Sequence, residues 1–175
     1  MQQFLLMGIP SNASLALAAI LVTLVLICVM LWLKPMPSNA KYAGLGIVIA
    51  VIGVFSYVLY RANDAKIILT PDQLIVDIPL YKQTLSLSEI QFQQVSFYNA
   101  NDPELSPKWR QNGMGLPGYL LGWFKLKNGD KALMSSANMQ HGVMIPTTQG
   151  YTIIVSVQQP KLLLEQLQAL SVDGS

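Results

Sequence analysis

One cysteine and one histidine in 175 residues remove several chemistries at once. Cys28 has no partner for an intrachain disulfide, and with a lone His141 the chain cannot build a nitrogen- and sulfur-rich metal site. Charge is scarce as well. Charged side chains make up 11% of the chain, and Lys34 and Lys41 are the only ones before Arg61. From Arg61 onward nine basic residues balance nine acidic ones. That balance argues against nucleic-acid binding, which needs a basic face to neutralise phosphates.

Apolar residues take the place of the missing charge. Residues 15–33, LALAAILVTLVLICVMLWL, and residues 42–60, YAGLGIVIAVIGVFSYVLY, are uncharged runs. A helix rises about 1.5 Å per residue, so nineteen residues reach about 30 Å, the thickness of a bilayer's hydrocarbon core. Between them lies KPMPSNAK, where Pro35 and Pro37 oppose helix continuation and Lys34 and Lys41 mark polar ends. Trp32, Tyr42, Tyr57 and Tyr60 stand where interfacial aromatics do. The alternative, two core helices of a soluble protein, fails because a small chain cannot cover two helices that are apolar all round. Residues 1–61 therefore read as a transmembrane hairpin integral to the bilayer. No basic residue precedes the first run, so it reads as a retained anchor rather than a secretory signal.

Orientation is nearly balanced: Lys34 and Lys41 favour a cytoplasmic elbow, whereas Arg61 and Lys66 pull the other way. On the second run Ala43, Gly46, Ala50 and Gly53 share one helical face. Packing against Ala16 and Ala19 of the first run is the expected use of that stripe, with homodimerisation the alternative.

Residues 62–175 suffice for one small domain. AKIIL, the turn Thr70-Pro71-Asp72-Gln73 and LIVDI form a hairpin. Residues 82–90 alternate as a half-buried strand, and 91–98 continue it. Residues 99–118, dense in Asn, Pro and Gly, read as a long loop. Residues 119–127 form a strand with Phe124 and Leu126 facing away from Trp123, Lys125 and Lys127. Asn128-Gly129 signals a type I′ hairpin turn, and 130–135 return from it. Residues 143–145 and YTIIVSV complete the strands. Pro160 then opens a helix whose stripe is Leu163, Leu164, Leu167 and Leu170.

About seven antiparallel strands capped by a C-terminal helix resemble the pleckstrin-homology fold, a bent barrel plugged by its helix. The tail is most similar to bacterial PH-like domains behind transmembrane hairpins at Arg110-Gln111-Asn112-Gly113, Gly115, Gly118, Trp123-Phe124 and Asn128-Gly129. The resemblance implies a protein of the bacterial cytoplasmic membrane and a binding or scaffolding module, without catalytic residues or cofactor.

Gly113-Met114-Gly115-Leu116-Pro117-Gly118 matches G-x-G-x-x-G, but it contains a proline and leads into a strand, where a dinucleotide site needs a strand before it and a helix after. His141 lies in the polar stretch Asn138-Met139-Gln140-His141-Gly142. A serine triad with Ser135 or Ser136 lacks any nucleophile elbow, and the acids show no spacing suited to acid–base work. The remaining cluster is basic and aromatic: Lys108, Trp109, Arg110, Trp123, Lys125 and Lys127, with Lys131 nearby. A protein or peptide partner near the membrane is the expected ligand. An anionic lipid headgroup bound by the basic residues is the alternative, and a membrane enzyme built on His141 ranks third.

Overall fold

The computed structural model describes residues 2–137, 139 and 141–173, with side chains to residue 170. Asn138 and Gln140, singled out around His141, lie outside the described residues. Two long helices come first: α1 (Ser11–Leu33) and α2 (Ser38–Ala62). Each is preceded by a proline, Pro10 and Pro37, where a missing N–H costs the first turn nothing. Each exceeds the expected span, α1 at its start and α2 at both ends. At the elbow the Lys41 ammonium donates to the Trp32 carbonyl at 2.8 Å and stands 5.9 Å over the indole ring. Only 6% of the apolar window of each helix is buried, which no core helix of a soluble protein would show. The two helices fit a membrane hairpin.

The β domain holds two sheets. The first runs β1 (Gln2–Leu5), β2 (Lys66–Leu69), β3 (Gln73–Asp77) and β4 (Gln83–Ser86) in that order. The second contains β5 (Ser96–Phe97), β6 (Pro107–Leu116), β7 (Tyr119–Leu126), β8 (Lys131–Ala137), β9 (Gly142–Pro146) and β10 (Tyr151–Ser156). Its order is β5-β9-β10-β8-β7-β6, with β8 and β10 parallel. Two single bridges join the sheets at their corners, Leu6 to Val157 and Ile90 to Thr147. Between the sheets lies a core that includes Ile67, Leu74, Val76, Leu85, Leu121, Leu133, Ile145, Ile153 and Val155. Helix α3 (Pro160–Asp173) adds Leu163 and Leu167 to that core and contacts β5 and β9. This is a PH-like bent barrel closed by its helix.

Four details differ from the reading of the sequence. The domain is not confined to residues 62–175, because Gln2–Leu5 pairs with β2 and buries Phe4 in the core. Among the described residues nine strands follow the hairpin where about seven were expected, and one pair is parallel rather than antiparallel. The expected loop at 99–118 contains the ten-residue strand β6. The alternation of 82–90 breaks after Ser86, where a capping box between Ser86 and Glu89 winds Leu87–Glu89 into a single 3-10 turn.

A second apolar cluster lies on the outer face of the six-stranded sheet, where Phe124, Leu126, Ala132, Met134 and Ile154 pack with Tyr98. Segment 98–106 covers it. The Tyr98 hydroxyl donates to the Leu105 carbonyl at 3.1 Å, and the amides of Lys127 and Asn128 donate to the carbonyls of Ser106 and Glu104. Covered on both faces, β8 is buried from Ala132 to Ala137.

The hairpin meets one end of this barrel. Leu6 donates to the Ala65 carbonyl and Met7 to that of Ser156, while Ala13 and Val58 enter the main core. Arg61 holds Asp77 of β3 at 3.1 Å. Leu116 and Tyr119, Ala137 and Val157 share this end, as the pairings require. The opposite end carries Lys131, paired with both Lys125 and Tyr151. Six residues at about 3.3 Å each put about 20 Å of strand between Tyr151 and Val157.

Candidate functional site

Six residues drew attention in the sequence, and β6 and β7 place them. Trp109 stands directly opposite Lys125 in the β6–β7 ladder. Register shifts flank it, one between Pro107 and Trp109 and one between Arg110 and Asn112. Each β-bulge sets two residues against one and re-aims side chains. As a result five consecutive residues, Lys108 to Asn112, are exposed instead of alternating. Trp109 is 63% exposed, a high value for so large an apolar side chain. Lys108, Trp109, Lys125 and Lys127, with Leu126 and Gly129, line a hollow of about 160 Å³. No carboxylate lies within ion-pair distance of these lysines among the described residues, where Arg61–Asp77 is the ion pair found.

The other two residues stand apart. Trp123 is half-buried; Lys131 Nζ sits 4.2 Å from its ring centroid, and Tyr151 meets it edge-on at 5.0 Å. Both ring contacts are internal, and Trp123 packs against the main core rather than lining the hollow. Arg110 faces Tyr81, whose hydroxyl donates to Asn112 Oδ1 at 3.1 Å. Burial raises the Tyr81 phenol above its ordinary value, and the nearby Arg110 guanidinium opposes that rise.

The turn beside the hollow is not the expected type I′ turn. Gly129 has φ +93, whereas Asn128 keeps a negative φ. The Gly129 amide donates to Leu126 and the Leu126 amide to Asp130, the pattern of a three-residue loop closed by a left-handed glycine. The Asn128 side chain accepts from the Asp130 amide at 2.9 Å and donates to its carboxylate at 2.6 Å, occupying the acid closest in sequence to the lysines.

A family model described as "Bacterial PH domain" matches residues 65–171. The chain belongs to that family. No curated protein and no solved structure matches it. The match begins at Ala65, so β1 is an addition that the hairpin's own N-terminal flank makes to the PH domain.

Within the PH domain the other motifs have structural uses. The G-x-G-x-x-G segment is the end of β6 and its turn. Pro117 and Gly118, with φ +75, occupy the central positions of a turn between paired Leu116 and Tyr119. Gly113 faces Gly122 across the ladder, both with positive φ, and a Cβ on Gly113 would lie 2.8 Å from the Gly122 Cα. Ser135 and Ser136 are buried in β8, with Ser136 Oγ 3.3 Å from Ser156 Oγ. His141 is exposed, and its carbonyl accepts from the Val157 amide. No catalytic triad is assembled from these groups.

The small-residue stripe faces away from α1. A Cβ on Gly46 or Gly53 would meet nothing within 4 Å, and Ala43 and Ala50 are exposed. The contact to α1 runs instead along the face carrying Gly44, whose added Cβ would lie 3.5 Å from Leu31. Packing of the stripe against the first helix is thereby corrected.

Proposed function

We propose that this protein is a membrane-anchored, non-catalytic binding module whose PH domain meets a protein or peptide partner through the end of the sheet that points away from the hairpin. One observation carries the reading: exposed Lys108, Trp109 and Lys127 and half-buried Lys125 line one hollow there, and among the described residues no carboxylate lies within ion-pair distance of the lysines. An exposed tryptophan is among the side chains that dominate binding energy at protein interfaces, and the lysines beside it add charge that steers and selects a partner. The two register shifts that expose these residues fit a surface shaped for contact.

The headgroup alternative fares worse. The cluster lies about 20 Å along the strands from the hairpin end, while electrostatic attraction to a charged surface decays over about 8 Å at physiological ionic strength. The membrane-enzyme reading has no assembled group to support it.

Photocrosslinking tests the proposal. A benzophenone amino acid is placed at Trp109 or, as a control, at exposed Thr84 of β4, in the full chain in its own membrane. A discrete adduct from position 109 and none from 84 is expected. Adducts to lipid alone, or equal labelling from both positions, would refute it. Reporter fusions at the C-terminus would show which side of the membrane that partner occupies.

A further inference from the structure

We infer that the hollow at the bulged start of β6 docks an acidic, extended segment of the partner protein, with one apolar side chain of that segment seated against Trp109 between carboxylates held by Lys108, Lys125 and Lys127. The inference rests on the binding-module reading and adds the chemistry of what is bound.

Size sets the first bound. Sites for small molecules and cofactors run to about 300–1,000 Å³, so a hollow of about 160 Å³ suits one side chain rather than a free metabolite. Its lining combines Trp109, Leu126 and Gly129 with three lysines, Lys108, Lys125 and Lys127, so apolar surface and positive charge stand side by side. An apolar residue flanked by acids satisfies both parts.

The edge then decides how the segment is held. β6 is an outer strand of the six-stranded sheet, paired on one side only. Open edges ordinarily invite an added strand, but Pro107, two register shifts and charged side chains are the devices that blunt such pairing. Recognition therefore runs through side chains, and charge selects the ligand. The acid nearest in sequence, Asp130, is bonded to Asn128 across the turn, and three lysines outweigh its single charge. A nucleic acid would need a wider basic face than a neutral domain offers.

The test uses the full-length protein in nanodiscs of uncharged phosphatidylcholine and a fluorescein-labelled peptide, Glu-Glu-Leu-Glu-Glu, with Gln-Gln-Leu-Gln-Gln as its control. Saturable anisotropy is expected for the acidic peptide only, weakening as salt is raised. Combined Lys108→Gln, Lys125→Gln and Lys127→Gln should weaken it by about tenfold or more, since charged rims govern both encounter and selectivity. Trp109→Ala should weaken it with the charges intact, and an unchanged melting temperature for both variants would show that the fold is kept. Equal binding of the two peptides, or no binding of the acidic one, overturns the inference. So does lysine-dependent binding to anionic vesicles without peptide binding. If the peptide fails while position 109 still crosslinks to a protein, the ligand chemistry is wrong and the binding module stands. If both fail, both readings fall.

Discussion

Gly113 and Gly122 offer the sharpest test of how the β6–β7 hairpin is built. At Gly113 φ is +136, and an added Cβ would be driven into the Leu121 carbonyl oxygen and to 2.8 Å from the Gly122 Cα. Both obstacles are backbone, which cannot swing aside as a side-chain end can. Two costs therefore add in Gly113→Ala. Holding a non-glycine residue in that region costs about 1–3 kcal/mol, and forcing the ladder apart costs about 1–3 kcal/mol more. Their sum, centred near 4 kcal/mol, is a large share of the about 5–15 kcal/mol that holds a domain together. At about 4 °C per kcal/mol for a domain of this size, the midpoint should fall by about 16 °C. Gly150→Ala is the control. Its φ is +80 but its Cβ would meet nothing within 4 Å, so strain alone acts and the fall should be about 4–12 °C, centred near 8 °C. Near-ultraviolet circular dichroism in nanodiscs reads both, because the Trp123–Tyr151 edge contact gives a signal that disappears on unfolding. If Gly113→Ala melts no lower than Gly150→Ala, the close approach of the two strands is refuted.

Three other outcomes follow from the geometry. Phe4→Ala empties a core position that is 4% exposed; it should cost about 3–5 kcal/mol and speed hydrogen exchange at the β2 amides. At Glu89, hydrogen bonds from the Ser86 amide and the Gln149 side chain hold the carboxyl below its ordinary value of 4.5. A depressed folded value stabilises above the unfolded one and is lost as pH falls through it, so the melting gap between wild type and Glu89→Gln should close in acid. Gly46→Leu with Gly53→Leu should leave the protomer's melting within about 0.5 kcal/mol of wild type. Any loss of crosslinked dimer would then report on contact between copies.

The hairpin and the last helix were legible because their signals are long and local. Two uncharged runs about thirty ångströms in helical length have few rival readings, and Pro160 followed by leucines on one face names its own helix. β6 was hidden for a physical reason. Its two register shifts expose five residues in a row, which erases the period-two pattern by which strands are read, and its Asn, Pro and Gly content mimics a loop. β1 was hidden by brevity, since four residues carry no period and their partner lies beyond two helices. Lys125 was read opposite Phe124 and Leu126 because the second half of β7 alternates in burial. Arg110 was grouped with the lysines by nearness in sequence, and Trp123 because it shares their strand face. The bulge after Arg110 turns it toward Tyr81, and Lys131 with Tyr151 claims the Trp123 ring.

The pairing of β1 with β2 also bears on how the protein is made. β1 is synthesised before either helix and its neighbour only after both, so Phe4 waits without a core until the hairpin is threaded. The pair can form only if the two flanks emerge on the same face of the membrane. A chain that inserted one helix, or three segments in place of two, would strand β1 across the bilayer from its sheet, leaving an open β2 edge for proteases to find. Completion of the first sheet is thereby tied to the threading of the two helices.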